Sequence, residues 1–277
     1  MQLPDCNSFF MLSSKPMKTN PLAQYFEFIT ETAYLAGRLT LGYFQTGVHA
    51  DYKADDSPVT LADRQAEALI RNRIEKAYPG HAIVGEEYGD DHQTASCRWI
   101  IDPIDGTKAF LRGVPLYAVL IGLEIEGVMQ AGAAYFPALD EMLAAASGLG
   151  CWWNGRRAHV STTTDIGQAY VSTTSVEAIR RHGRITQFER LSSACYHQIG
   201  WSDAYGYLLV ATGRIEVMLD PIMNIWDGAP FPPILSEAGG YFGDWQGNAG
   251  VFSEALAVNQ ALLPQVLTIL NNGSADE

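Results

Sequence analysis

Three consecutive apolar segments, separated by short turns, constrain the fold of this chain most strongly. They occupy residues 116–127, 128–138 and 141–155, and each combines a strand-like apolar run with glycine-containing turns. Strands that follow one another through such short connections pair in antiparallel fashion. The segments therefore predict an antiparallel meander.

Two amphipathic helices are predicted before this meander. Between residues 21 and 47, and again between 61 and 80, apolar residues recur at steps of three and four, which is the period of an α-helix. The second pattern stops at Pro79-Gly80, a strong helix terminator. The polar stretch that connects them carries a Ser-Pro turn signal, so a charged loop is expected between the helices.

The pattern changes near residue 160. Strand-like runs now alternate with helical ones, which predicts a second layered half. The expected strands are 169–175, 213–220 and 254–259, and the expected helices are 176–183, 203–213, 231–240 and 260–272. We therefore divide the chain into an N-terminal tail (1–20), an N-terminal α+β half (21–160) and a C-terminal α/β half (161–277).

Composition excludes several classes of protein. With 31 acidic and 18 basic residues the formal charge is −13, which repels nucleic acid and anionic membrane surfaces. The four cysteines form no C-x-x-C pair, so neither a zinc ribbon nor a dense disulfide framework is indicated. Residues 1–20 lack a basic segment followed by a long apolar run, so we expect no targeting signal and a cytoplasmic location.

The segment RWIIDPIDGTKAF, residues 98–110, places two aspartates close together after an apolar run. The residue before proline is restricted to extended geometry, so Asp102 is expected to end a strand. Asp105 or Thr107 is a candidate N-cap for a following helix. Adjacent carboxylates repel unless a cation lies between them, and oxygen ligands favour Mg²⁺ or Mn²⁺. The alternative is purely structural, with one aspartate in an Asx turn and the other capping the helix.

Other acidic residues also follow apolar runs. Glu86 and Glu87 follow AIVG, and Asp227 follows a tryptophan just before a proline-rich helix start. Each has a structural alternative, because the glutamates could be solvated loop charges and Asp227 an ordinary N-cap for the segment from Ala229. If the three segments that end in acidic residues, those of Glu86, Asp102 and Asp227, meet at one edge of the fold, their carboxylates would nevertheless form a metal site.

These motifs resemble those of the inositol monophosphatase superfamily. The resemblance rests on four blocks in the family's order: SPVTLADRQAE, GEE, WIIDPIDGTKAF and IWDGAPFPPILSEAGG. It implies an α+β fold, a layered α/β/α/β/α sandwich. It also implies a Mg²⁺-dependent phosphomonoester hydrolase with two or three metal ions, Mn²⁺ being an alternative, and a homodimer acting on a small phosphorylated metabolite.

The resemblance assigns roles to individual residues. The metal ligands are Glu86, Asp102 as the bridging carboxylate, the backbone carbonyl of Ile104, Asp105 and Asp227. Thr107 and Asp63 would position and deprotonate the attacking water, and the amides of Gly106 and Thr107 would bind the phosphate. The loop from Lys53 to Ser57 would be a mobile flap.

Substrate choice depends on subtler features. Lys108 and Phe110 within the motif resemble the histidinol-phosphate phosphatase branch, as does the segment around Asp203, although its spacing differs by one residue. Asp203 and Asp220 would offer carboxylates to a cationic amine. Histidinol phosphate is therefore the expected substrate. The alternatives are an inositol or other sugar phosphatase, a 3′-nucleotidase and a non-catalytic metal-binding relative.

Overall fold

An eight-stranded and a five-stranded β-sheet, with the helices that cover them, form most of the described part of the chain. The computed structural model describes residues 20–53, 58–91, 95–200 and 203–272, and the statements below concern these ranges. In chain order the elements are α1 (Ala23–Leu41), β1 (Ala50–Tyr52), β2 (Pro58–Thr60), α2 (Leu61–Ala77), β3 (Ala82–Gly85), β4 (Gly89–Asp90), β5 (Cys97–Asp105), α3 (Thr107–Leu111), β6 (Ala118–Ile125), β7 (Val128–Phe136), β8 (Glu141–Ala146), β9 (Gly150–Trp153), β10 (Arg156–Arg157), β11 (Tyr170–Ser172), α4 (Val176–Arg181), α5 (Ile185–Ala194), β12 (His197–Ile199), α6 (Ala204–Ala211), β13 (Val217–Asp220), α7 (Ile225–Gly228), α8 (Phe231–Glu237), β14 (Gly240–Gly243), β15 (Ala255–Asn259) and α9 (Leu263–Asn271).

The larger sheet has the strand order β10-β9-β8-β7-β6-β5-β3-β4. Its strands from β5 to β10 pair antiparallel, as the meander predicts, whereas β3 and β5 are parallel. The smaller sheet has the order β12-β11-β13-β15-β14, with β11 parallel to both neighbours. Strands β1 and β2 form a separate antiparallel pair.

Burial of apolar side chains stacks these elements in five layers. One core cluster joins α1 and α2 to the outer face of the larger sheet, a second joins both sheets through α6 and α8, and a third joins the smaller sheet to α4, α5 and α9. Fully buried members include Ile29, Ile70, Ile121, Leu208, Leu235, Met218, Val258 and Leu191. The predicted α/β/α/β/α sandwich is confirmed.

A pair of glycines lets the chain after α7 lie against the larger sheet. Gly122 of β6 and Gly132 of β7 face each other across the strands. A Cβ atom added at Gly122 would lie 2.7 Å from Ala229 Cβ, and one added at Gly132 would lie 2.2 Å from the Pro230 carbonyl oxygen. Because no side chain larger than hydrogen fits there, these glycines fix the distance between α7 and the sheet.

Several local predictions differ from the structure. Helix α1 ends at Leu41, and turns rather than helix follow to residue 47. The predicted helix 231–240 ends at Glu237, because Gly239 has φ = 85° and the chain then enters β14. Helix α5 was not predicted, nor were the short strands β12 and β14; these two strands have only three and four residues, which carry too little periodicity to detect.

The predicted division near residue 160 falls between β10, in the larger sheet, and β11, in the smaller one. Both halves contribute to the core around α6 and α8, so the division into two halves stays a prediction. The predicted tail, residues 1–20, lies almost wholly outside the described ranges. Within those ranges no helix is both long and apolar enough to cross a membrane.

Candidate active site

Glu86 is placed by the parallel pairing of β3 with β5. The pairing sets Gly85 opposite Ile101, and the Glu86 N–H then donates to the Ile101 carbonyl oxygen at 3.1 Å. Glu86 therefore lies beside Asp102, the next residue of β5. Its side chain and that of Glu87 both accept from Lys53 Nζ, at 2.9 Å and 2.7 Å.

Strand β5 does not end at Asp102, as the sequence predicted, but continues to Asp105. Its register against β6 shifts between these two aspartates, so the chain bulges at the proline. Asp102 Oδ1 accepts from the Ile104 N–H at 3.0 Å, which is the Asx turn considered as the structural alternative. Because Asp102 is only 2% exposed, the turn holds a carboxylate inside the protein.

Neither Asp105 nor Thr107 is the N-cap of α3, which corrects the sequence prediction. The cap position is Gly106, with φ = 78° and no capping side chain. Thr107 is the first helical residue, and its hydroxyl donates to the Ile104 carbonyl oxygen at 3.1 Å. Asp105 instead accepts from the Ala204 N–H at 2.8 Å, so its carboxylate is held by α6.

Asp227 comes to the same place from the C-terminal half. It lies within the short helix α7, where its Oδ2 accepts from the Asn224 backbone N–H at 2.9 Å and side-chain amide at 3.1 Å. Asn224 is thus the N-cap, and Asp227 does not cap the segment from Ala229. Ala229 and Pro230, which follow α7, pack closely against Gly122 and Gly132 and so bring α7 onto the sheet.

The structure therefore brings three of the predicted ligands together. Oxygens of Asp102, Asp105 and Asp227 all lie within 4.8 Å of one another. Burial raises the pKa of Asp102 well above its usual range, and the charge of neighbouring Glu86 raises it further. Burial also raises the pKa of Asp105, and that of Asp227 to about 6. Such a cluster holds protons unless a cation neutralises it.

Asp63 occupies the start of α2 and is fully buried. Its Oδ2 accepts from the Thr60 N–H at 2.7 Å and from the Thr60 hydroxyl, which completes a capping box. Among the described residues, its Oδ1 has no hydrogen-bond partner. Burial raises the Asp63 pKa to about 6 despite these donors. The free oxygen is a buried acceptor suited to a water molecule.

Asp203 and Asp220 line a cavity of about 190 Å³ that also contains Asp105 and Asp227. Asp203 has φ = 54°, an unusual conformation for a residue other than glycine. Its carboxylate lies against Gly106, where an added Cβ would be 2.9 Å from Oδ2. Burial and then the charges of Asp220 and Asp227 raise the Asp203 pKa to about 7.

Asp220 is more fully engaged than the sequence suggested. Its carboxylate accepts from the Thr173 hydroxyl (3.2 Å), the Thr174 N–H (2.9 Å), the Thr174 hydroxyl (3.0 Å) and the Tyr207 hydroxyl (2.7 Å). Neither Thr174 nor Tyr207 was predicted to have a role, although Tyr207 belongs to the segment around Asp203 that resembles the histidinol-phosphate phosphatase branch. Both line the cavity, and the Thr174 hydroxyl also accepts from the Asp203 N–H at 3.0 Å.

The remaining predicted residues have simpler surroundings. Gly106 and Thr107 form the start of α3, where first-turn amides have no partner within the helix. Lys53 pairs with both glutamates; burial alone would lower its pKa, but these two hydrogen bonds outweigh burial and raise it. Residues 54–57 of the predicted flap lie outside the described ranges.

The donor set fits a hard divalent cation. Asp102, Asp105 and Asp227 offer only oxygen ligands. Asp63 is close enough to Glu86 that, after burial, the Glu86 charge also raises the Asp63 pKa, and Asp63 Oδ1 is available to a water molecule. On binding, the cation would displace protons from the aspartate carboxylates. At Glu86 it would replace the Lys53 ammonium group as the partner of the carboxylate.

Comparisons with known proteins identify the family of this chain. The model of the inositol monophosphatase family matches residues 22–275. The histidinol-phosphatase of Chlorobaculum parvum is 41% identical over 89% of this chain and 96% of its own length. The histidinol-phosphatase of Mycobacterium tuberculosis is 37% identical over 80% of this chain and 88% of its own.

A solved structure has the same fold as this chain. The extragenic suppressor protein SuhB from Bartonella henselae superposes with a TM-score of 0.84 at 27% identity, over 91% of this chain and all of that one. The family match extends over almost the whole described fold and includes all the acidic segments above. The chain therefore belongs to the inositol monophosphatase family and is a phosphatase, a phosphoric monoester hydrolase.

Proposed function

We propose that this chain hydrolyses L-histidinol phosphate to L-histidinol and phosphate in a Mg²⁺-dependent reaction. The observation that carries the proposal is the position of the Asp203 carboxylate against Gly106, at the start of α3. In histidinol phosphate the cationic amine is two carbons from the ester oxygen. A phosphate at the amides of α3 would therefore place that amine near the Asp203 carboxylate.

The proposed metal ligands are Glu86, Asp102, the Ile104 carbonyl oxygen, Asp105 and Asp227. When bound, Mg²⁺ would supply charge stabilisation and activate water for attack on phosphorus. The proposal includes two or three Mg²⁺ ions in the site, with Mn²⁺ as an alternative cation.

Asp63 and Thr107 are proposed to handle the proton of the attacking water. Asp63 Oδ1 is a buried acceptor, and a pKa of about 6 leaves it mostly ionised near neutral pH. The Thr107 hydroxyl, oriented by its bond to the Ile104 carbonyl oxygen, offers its lone pairs to the same water. The amides of Gly106 and Thr107 would bind the phosphate oxygens.

We assign amine recognition to Asp203 first and give Asp220 a supporting role. Four protein donors already occupy the lone pairs of Asp220, including the Tyr207 hydroxyl at 2.7 Å. Thr174 links the two acids, because its hydroxyl donates to Asp220 and accepts from the Asp203 N–H. Asp220 thus holds Thr174, and Thr174 holds the Asp203 backbone.

The test compares substrates in wild type and Asp203→Asn. Removing a charge-assisted contact costs about 1.5–3 kcal/mol, so kcat/KM for histidinol phosphate should fall at least about tenfold. Turnover of p-nitrophenyl phosphate, which has no amine, is the internal control and should change little. Asp220→Asn should instead lower both activities together, because it breaks a buried hydrogen-bond network.

Other substrate preferences would redirect the proposal. A higher wild-type kcat/KM on inositol 1-phosphate would indicate a polyol phosphatase, and a preference for adenosine 3′,5′-bisphosphate would indicate a nucleotidase. Full activity in excess chelator would reject the metal assignment. No turnover of any phosphomonoester with Mg²⁺ would identify a non-catalytic relative.

The cellular setting is proposed on similarity alone. By analogy with the histidinol-phosphatases that this chain resembles, we propose a cytoplasmic homodimer that acts in histidine biosynthesis. Its partners would be small phosphorylated metabolites rather than nucleic acid or membranes, in keeping with the charge of −13. Light scattering of the purified protein would test the dimer.

A further inference from the structure

Glu67 is a fully buried carboxylate in α2 that the proposed chemistry does not use. It is 0% exposed and pairs with Arg71 one turn later, Nε to Oε1 at 2.7 Å. A buried charge normally requires a specific set of partners. The other partners of Glu67 are two backbone amides of the turn that follows Glu86.

Those amides follow Glu86 directly in the chain. Glu67 Oε2 accepts from the Glu87 N–H at 2.7 Å, and Oε1 accepts from the Tyr88 N–H at 3.2 Å. Arg71 extends the contact, since its NH2 group donates to the Gly89 carbonyl oxygen. Three successive residues after Glu86 are thereby tied to α2.

The residue before Glu86 makes room for this carboxylate. A Cβ atom added at Gly85 would lie 2.0 Å from Glu67 Oε1 and 2.4 Å from its carboxyl carbon. Gly85 is therefore required for the close approach of Glu67. On its other side the turn is fixed to β5 through the bond from the Glu86 N–H to the Ile101 carbonyl oxygen.

We propose that Glu67 is a positioning residue, which orients Glu86 for divalent-cation binding by holding the backbone of residues 87–89. This rests on the proposed metal site at Glu86. Glu67 contacts the turn through its backbone, so the Glu86 carboxylate stays available to the cation while its direction is fixed from both sides.

The test measures Mn²⁺ affinity of the folded protein by calorimetry in wild type and Glu67→Gln. The amide weakens the pair with Arg71 and turns an NH₂ group towards N–H donors. Partners that orient ligands typically contribute 10- to 100-fold to metal affinity, so we expect Mn²⁺ binding at least about tenfold weaker. Turnover should recover at saturating Mn²⁺, because Glu86 itself is unchanged.

Glu75→Gln, an exposed change in the same helix, is the matched control and should bind Mn²⁺ as wild type does. If Glu67→Gln fails to fold by circular dichroism, Arg71→Lys replaces it; lysine keeps the ion pair but cannot also reach Gly89, so a smaller loss of affinity is expected. A folded Glu67→Gln, or in its place Arg71→Lys, with wild-type Mn²⁺ affinity would overturn the inference and leave the proposed function intact. Wild-type protein that binds no Mn²⁺ would overturn both.

Discussion

Gly132→Ala tests whether the fold of the larger sheet sets the geometry of the site. The added methyl group would lie 2.2 Å, 2.6 Å and 2.7 Å from the oxygen, Cα and carbonyl carbon of Pro230. All three are backbone atoms, so no side-chain rotation can relieve the overlap. Ordinary contact begins at 3.4 Å, so the Pro230 oxygen must move by about 1.2 Å.

The displacement should reach Asp227, which lies only three residues before Pro230. Asp227, Asp102 and Asp105 offer oxygens within 4.8 Å of one another. Metal–ligand distances tolerate changes of only about 0.2 Å, so a shift of this size should lower Mn²⁺ affinity at least about tenfold. Overpacking itself costs about 1–3 kcal/mol, which corresponds to a Tm lower by roughly 2–10 °C.

The assay combines thermal unfolding with Mn²⁺ calorimetry. Gly42→Ala is the control, because Gly42 is exposed, has φ = −64°, and an added Cβ would lie 3.2 Å from the Leu39 carbonyl oxygen, which requires a movement of only about 0.2 Å. It should leave both quantities close to wild type. Wild-type Tm and Mn²⁺ affinity in Gly132→Ala would refute the argument that this glycine sets the distance of α7 from the sheet.

Three further predictions concern the acidic residues. Asp102→Asn should abolish turnover and weaken Mn²⁺ binding more than any other single ligand change, measured by calorimetry and phosphate release. The reason is that Asp102 lies beside Glu86 and also offers an oxygen within 4.8 Å of those of Asp105 and Asp227, so it faces every other proposed carboxylate ligand. Asp63→Asn should lower kcat by roughly a hundredfold while Mn²⁺ affinity changes little; a parallel loss of affinity would make Asp63 a ligand instead. The pKa of Asp63 rises from 3.8 to about 6 on folding, so its contribution to stability is complete below 3.8 and is lost as the pH rises through about 6. Without metal, the fall in Tm across that interval should be smaller in Asp63→Asn than in wild type.

Features with a local sequence signal could be predicted. The helical period from residue 21 and the three apolar segments from 116 to 155 predict the outer helices and the meander, because each pattern arises from one buried face of one element. Asp102 and Asp105 were recognisable as a pair because they are three residues apart in sequence. They therefore stay close together however the rest of the chain folds.

The error at α3 has a definite physical cause. The sequence contains both an aspartate and a threonine where an N-cap is expected, and both are good caps. The bulge in β5 instead leaves Gly106 at the cap position, with positive φ. Each side chain then takes another partner: Asp105 the Ala204 N–H, and Thr107 the Ile104 carbonyl oxygen.

The contacts that complete the site span long distances in sequence, which is why no local pattern predicts them. Asp105 and Ala204 are 99 residues apart, and Asp220 and Thr174 are 46 apart. These two bonds fix Asp203 between α3 and the smaller sheet, since Thr174 accepts from the Asp203 N–H and Ala204 follows directly. An isolated motif around Asp102 could therefore supply carboxylates for a cation. Placing an acid beside Gly106, where an amine would be recognised, requires both sheets to be assembled.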